Sequence, residues 1–299
     1  MATANNSTTS AAKGFRSKIN DYKLLTKFKL SLLVVFSACI TFMLGATQYP
    51  WQALVTLALG GIFVTGAANA LNQVLEKEYD KLMKRTSNRP LPSGRMEVSE
   101  AVLVAGILSV MGLLLLATFN PTTAMLGALS LVSYSFIYTP MKRVSPAAVW
   151  IGAIPGALPM AIGWVAAGNS LGPIAIFLFS IQFFWQFPHF WAIAWVAHKD
   201  YTGAGFYLLP SKKEDGRDKS TALQTVFYAA VLIPMSILPY AMGIAGWIAC
   251  SVMLVMGIIY LFYALNLYRF CNDQAARKLM FASFVYLPIV LIALVIDKI

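Results

Sequence analysis

Long apolar runs dominate this chain, and they limit its fold more than any other feature. Taking about 18 apolar residues as the minimum for a membrane span, nine runs qualify. They lie at roughly 30–47, 52–74, 101–119, 122–140, 146–167, 173–197, 222–242, 245–268 and 279–296. None of them contains Asp, Glu, Lys or Arg. Charged residues make up only 12% of the 299, against about 25% in a soluble domain, and mean hydropathy is +0.68. The expectation is an all-α polytopic membrane protein of nine transmembrane helices in one domain spanning 29–299. Residues 1–28 read as a disordered cytoplasmic tail. Its Ser, Thr, Ala and basic residues resemble a short mitochondrial presequence, but the bases also suit orientation of the first helix, and the run that follows is too long for a cleaved signal peptide.

The charges give the orientation. Of the 23 Lys and Arg residues, 22 lie before the first run or in alternate connectors, and Lys298 alone falls on the other side. Acids segregate the same way, with Asp297 the exception. The positive-inside rule places the amino terminus and all charged loops in the cytoplasm and the carboxyl terminus outside. A bacterial inner membrane suits the short tail better than a mitochondrial one. The net charge of +11 is therefore a topology signal and not a nucleic-acid surface. The absence of intramembrane charge argues against an ion pump. Cys39, Cys250 and Cys271 are widely spaced and read as buried free thiols, without zinc spacing.

Two connectors carry more chemistry than a linker needs. After the second run, Asn72, Glu76 and Asp80 recur every four residues, which stacks them on one helix face. Arg85, Asn88 and Arg89 follow, then Pro90 and Pro92. Carboxylates suit a divalent cation and arginines suit phosphate oxygens, so the pattern describes a diphosphate site. The plain alternative is a charged loop obeying the topology rule. Glu78 points off that face and reads as solvated. The connector after the sixth run opens with His198, Lys199, Asp200 and Tyr201. Asp200 can complete a second cation site and Tyr201 can hydrogen-bond a phosphate, while Glu214, Asp215 and Asp218 read as a solvated turn. Arg217 and Lys219 are further phosphate contacts in this reading. Upstream, Gln182, Gln186 and His189 punctuate an aromatic run. His189 facing a cavity can ligate haem iron or bind a substrate. Its plainer reading is a packing histidine bonded to Asn or Ser on a neighbouring helix.

At these residues the chain resembles the UbiA-type intramembrane prenyltransferases. The resemblance is carried by N-x3-E-x3-D with M-K-R-T-x-N-R-P-L-P-x-G, by F-P-H-F-W-A-I-A with K-D-Y-x-x-A-G, and by Y-T-P-M-K-R at 138–143. It covers nearly the whole chain and is strongest to the haem-farnesylating branch. Glu76 stands where the family usually has Asp, and the second connector is poorer in aspartates than in quinone-type members. The resemblance implies a helical bundle with a central cavity opening toward the cytoplasmic loops. It also implies Mg²⁺-dependent transfer of farnesyl from farnesyl diphosphate to a vinyl group of protohaem IX (haem B), with water added, giving haem O and diphosphate.

In that reading Asn72, Glu76, Asp80 and Asp200 hold Mg²⁺, and Arg85, Arg89 and Lys199 share the diphosphate charge. Tyr138, Lys142, Arg143, His189 and Tyr201 contact substrate. A haem A synthase or an oxidase assembly factor is the expected recipient of product. Two alternatives stay open: prenylation of an aromatic quinone precursor such as 4-hydroxybenzoate, and a non-catalytic haem or isoprenoid carrier.

Overall fold

The computed structural model describes residues 17–48, 50–211 and 216–299. Nine long helices run through them. They are α1 (Phe28–Gly45), α2 (Trp51–Asp80), α3 (Val98–Ala117), α4 (Pro121–Met141), α5 (Ala148–Ala166), α6 (Pro173–Val196), α7 (Lys219–Ala241), α8 (Trp247–Phe270) and α9 (Asp273–Ile296). Among the described residues, eight are long and apolar enough to cross a membrane. The exception is α6, where Gln182, Gln186 and His189 dilute a helix of 24 residues; the expected count of nine spans is met for eight. Helices satisfy every backbone group within the segment, which a bilayer demands. The protein is accordingly read as a multi-pass membrane protein.

Each helix packs on the next in sequence, and α9 returns to α1, so the bundle closes on itself. The most enclosed helix is α5, which also packs on α1. Small residues set that closeness: a Cβ on Gly163 would collide with the backbone of Ala38. Two prolines inside α5 leave its backbone incompletely bonded. Ser130 Oγ donates to Pro155 O (3.3 Å), Gln182 Nε2 to Gly156 O (2.8 Å) and Gln186 Nε2 to Ala153 O (2.6 Å). The two glutamines of α6 are thus bonded to the backbone of α5.

The few charges at the end opposite the polar loops serve helix termini. Lys298 Nζ donates to Met43 O (3.2 Å) and Ala46 O (2.5 Å) at the end of α1, and Asp297 Oδ2 accepts from Ala249 N (2.7 Å) at the start of α8. Each sign matches the dipole end it meets. Cys39, Cys250 and Cys271 are free thiols, but only Cys250 is buried, which corrects the expectation for the other two.

The amino-terminal segment also departs from expectation. Residues 1–16 lie outside the described residues, but 17–25 form a helix. Leu25 is fully buried with Ala70, Leu91, Met96 and Ala101. Gln73 Nε2 donates to Leu24 O (2.9 Å) and Leu25 O (2.7 Å), and Arg95 Nε pairs with Asp21 Oδ1 (3.0 Å). Amides on α2 hold this segment down, so it is a strap and not a loose tail over that stretch.

Candidate active site

The spacing of α2 carries Asn72, Glu76 and Asp80 onto one inward face, where all three are buried. They line a cavity of about 390 Å³ at the charged end of the bundle, a volume typical of small-molecule sites. The connector after α2 folds back over its own helix end. Thr86 Oγ1 donates to Asp80 O (2.9 Å), and Arg89 Nη1 donates to Asp80 Oδ2 (2.7 Å). The other oxygen, Asp80 Oδ1, is buried and has no hydrogen-bond partner among the described residues.

Glu76 Oε1 lies 2.5 Å from Lys142 Nζ, an ion-pair contact without hydrogen-bond alignment. Asn72 is held from both sides: Nδ2 donates to Thr139 Oγ1 (3.1 Å), and Oδ1 accepts from Lys27 Nζ (3.2 Å). Burial pushes the Lys27 amine down to about 7, helped by the positive charges of Arg89 and Lys142 and opposed by Glu76 and Asp80.

Opposite the carboxylates the walls are aromatic and apolar. The last part of α4, Ser133–Tyr138, winds as a π-helix, a device that re-aims side chains within a helix. It presents Tyr134 and Tyr138 to the cavity with ring centroids 5.2 Å apart. Gly152 on α5 makes room, since a Cβ there would sit 2.6 Å from the Tyr138 ring. The Arg85 guanidinium lies 4.3 Å from the Tyr201 ring centre, joining the two polar connectors.

His189 lines the same cavity. Its Nδ1 is 2.7 Å from Ser283 Oγ, and that hydroxyl in turn donates to Met280 O. Ser283 therefore accepts from Nδ1–H, and Nε2 keeps its lone pair. The ring stacks on Trp185 at 4.9 Å. The serine partner is the packing bond expected from sequence. The ring also faces the cavity, the position from which a substrate contact is possible.

Nine of the expected residues meet here: Asn72, Glu76, Asp80, Arg85, Arg89, Tyr138, Lys142, His189 and Tyr201. Arg143, Lys199 and Asp200 do not line the cavity. Arg143 is taken up by Tyr79, donating to its hydroxyl (2.6 Å) and stacking on its ring (4.5 Å). Lys199 and Asp200 precede Tyr201 in the short helix His198–Gly203. Residues one and two positions apart on a helix point different ways, so Tyr201 enters the cavity and they do not. Among the described residues, no group of three or more His, Cys, Asp or Glu side chains is arranged for a metal ion. The expected four-ligand set that included Asp200 is thus not assembled. Sequence reasoning missed Lys27, Tyr134, Phe206 and Phe284, all cavity-lining. For Lys27 the only sequence signal is one base among six before the first span.

A model of the UbiA prenyltransferase family matches residues 32–286. The chain belongs to that family. It is 47% identical over 285 residues to a protoheme IX farnesyltransferase of Cytophaga hutchinsonii, covering 95% of this chain and 99% of that one. A protoheme IX farnesyltransferase of Flavobacterium psychrophilum is 44% identical over 291 residues, with 95% and 96% covered. Among solved structures, one concerning digeranylgeranylglyceryl phosphate synthase superposes with a TM-score of 0.79 at 20% identity, covering 94% of this chain and 98% of that one. A UbiA homolog from Archaeoglobus fulgidus bound to DMAPP and Mg²⁺ gives 0.72 at 16% identity, covering 92% and 99%. At those identities the structures speak for the UbiA fold.

Proposed function

We propose that this protein transfers a farnesyl group from farnesyl diphosphate to a vinyl group of haem B, giving haem O and diphosphate. The observation that carries this reading is one cavity with ionic and aromatic sides. Lys27, Arg85, Arg89 and Lys142 crowd one end around two carboxylates, and mainly tyrosines, phenylalanines and aliphatic side chains line the rest.

The chemistry follows from that division. The allylic C1–O bond breaks with its electron pair leaving on diphosphate, and Arg85, Arg89 and Lys142 offset the charge that develops there. The π faces of Tyr134, Tyr138 and Phe206 stabilise an allylic cation by cation–π attraction and keep water from it. The vinyl π bond attacks C1, and water captures the cation adjoining the porphyrin, releasing one proton. His189 Nε2 is the group best disposed to contact haem. The open Asp80 Oδ1 and the Glu76 carboxylate, with Asn72 beside them, are donors of the kind Mg²⁺ prefers. Bound there, the ion would supply further positive charge to the diphosphate oxygens. Lys199 and Asp200 take no direct part in this scheme.

The same reading sets the polar loops on the cytoplasmic side of a bacterial inner membrane, the C-terminus outside, with a haem A synthase or oxidase assembly factor receiving the product.

The test is purified protein with haem B, farnesyl diphosphate and Mg²⁺, with pigments resolved by mass. A haem heavier by one hydroxyethylfarnesyl modification, lost in Asp80→Asn, is the expected result. A prenylated 4-hydroxybenzoate in place of prenylated haem overturns the choice of acceptor. Haem binding with no product on either acceptor overturns catalysis.

A further inference from the structure

Lys27 sits where the strap 17–25 turns into α1, and its backbone is left-handed (φ 45°, ψ 51°). A non-glycine residue is disfavoured in that region and persists only where the surroundings enforce it. Here they do. Ser31 Oγ donates to Thr26 O (3.0 Å), Asn69 Nδ2 to Thr26 O (3.4 Å), and Gln73 holds the two carbonyls before it. The result sends a lysine side chain into the cavity, where its one hydrogen bond among the described residues is to the neutral Asn72 amide.

The other cations at this end already have partners. Arg89 faces Asp80, Lys142 faces Glu76, and Arg85 lies on the Tyr201 ring. Lys27 has no carboxylate within ion-pair distance among the described residues, although it shares the cavity with two. An amine held in a confined, cation-rich site without a counter-charge is unfavourable. A ligand bearing several negative charges relieves it, and a neutral one does not.

We propose that Lys27, presented by the amino-terminal strap, is a binding residue for the diphosphate group. It then couples the segment before α1 to substrate binding. The proposal rests on the prenyl-transfer reading of this cavity and deepens it.

The test uses the full chain in detergent micelles. Titration calorimetry compares a thiolo analogue of farnesyl diphosphate with farnesol, which shares the tail and lacks the charge. In Lys27→Met the analogue should bind on the order of 10-fold more weakly, as for loss of one charge-assisted hydrogen bond. Farnesol affinity and the haem absorption spectrum should stay unchanged, and Lys27→Arg should restore most of the loss. Unchanged analogue binding in a folded Lys27→Met protein overturns the proposal, as does an equal loss for analogue and farnesol.

A second measurement needs no variant. Amine acetylation of the wild type, read by mass spectrometry, should show Lys27 protected by inorganic diphosphate and not by farnesol. Equal labelling with and without diphosphate overturns the assignment, whatever the variants do. Wild-type protein that binds neither prenyl compound would instead sink the underlying prenyl-transfer reading.

Discussion

The connectors after α2 and after α6 both mix acids with bases, and the fold uses them in different ways. The first is electrostatic. It contributes Arg85, Thr86 and Arg89 to the cavity, and Arg89 locks onto the buried Asp80. The second contributes Tyr201, Phe206 and Leu208 to the wall. Its described charges go elsewhere: Asp218 accepts from Thr221 N (3.0 Å) as the cap of α7, and Arg217 reaches Asp273 (3.4 Å). The two meet where Met83 packs with Ala204, Phe206 and Leu208. Similar composition therefore does not mean similar work. What separates them is that the first loop begins on a helix that carries carboxylates, Glu76 and Asp80, into the cavity, whereas α6 brings only neutral polar groups inward.

The sharpest way to break this contrast is to neutralise Asp80. Asp80→Asn should reduce turnover by about 100-fold or more, the scale of losing a central electrostatic group, with prenylated haem measured against protein of unchanged thermal midpoint. Arg85→Ala and Lys199→Ala form the direct comparison. The first should raise KM for farnesyl diphosphate by on the order of 10-fold, and the second by less than about 3-fold, since only Arg85 lines the cavity. Equal effects would erase the distinction between the loops.

Gly152→Ala should displace the Tyr138 ring and lower kcat by roughly 3- to 10-fold without changing diphosphate affinity; crowding of this kind costs about 1–3 kcal/mol. Smallest is Asp218→Ala, which removes a helix cap worth about 1 kcal/mol. It should lower the thermal midpoint and leave KM and kcat as they were.

Much of the site was legible because it depends on local periodicity. Asn72, Glu76 and Asp80 share a face in any α-helix, and the outward direction of Glu78 follows from the same rule. The serine bond to His189 was legible in kind, since a polar ring among apolar helices needs a partner, although Ser283 lies 94 residues away. Lys27 was not legible. Nothing in the spacing of the tail shows that Asn69 and Gln73 on another helix grip its backbone. The π-helical turn was equally hidden, because the space for Tyr138 is provided by Gly152 on α5.

Sequence alone determined the class and the segregation of charge into the connectors. A bilayer admits only segments that satisfy their own backbone, so uninterrupted apolar runs must become helices, and charges must collect between them. The tertiary structure alone decided which of those charges face one another. Lys142 meeting Glu76, Lys27 meeting Asn72, and Asp200 lying outside the cavity all depend on how α1, α2, α4 and α6 pack. Helix packing brings residues distant in sequence into direct contact, and periodicity within a single helix carries no record of it.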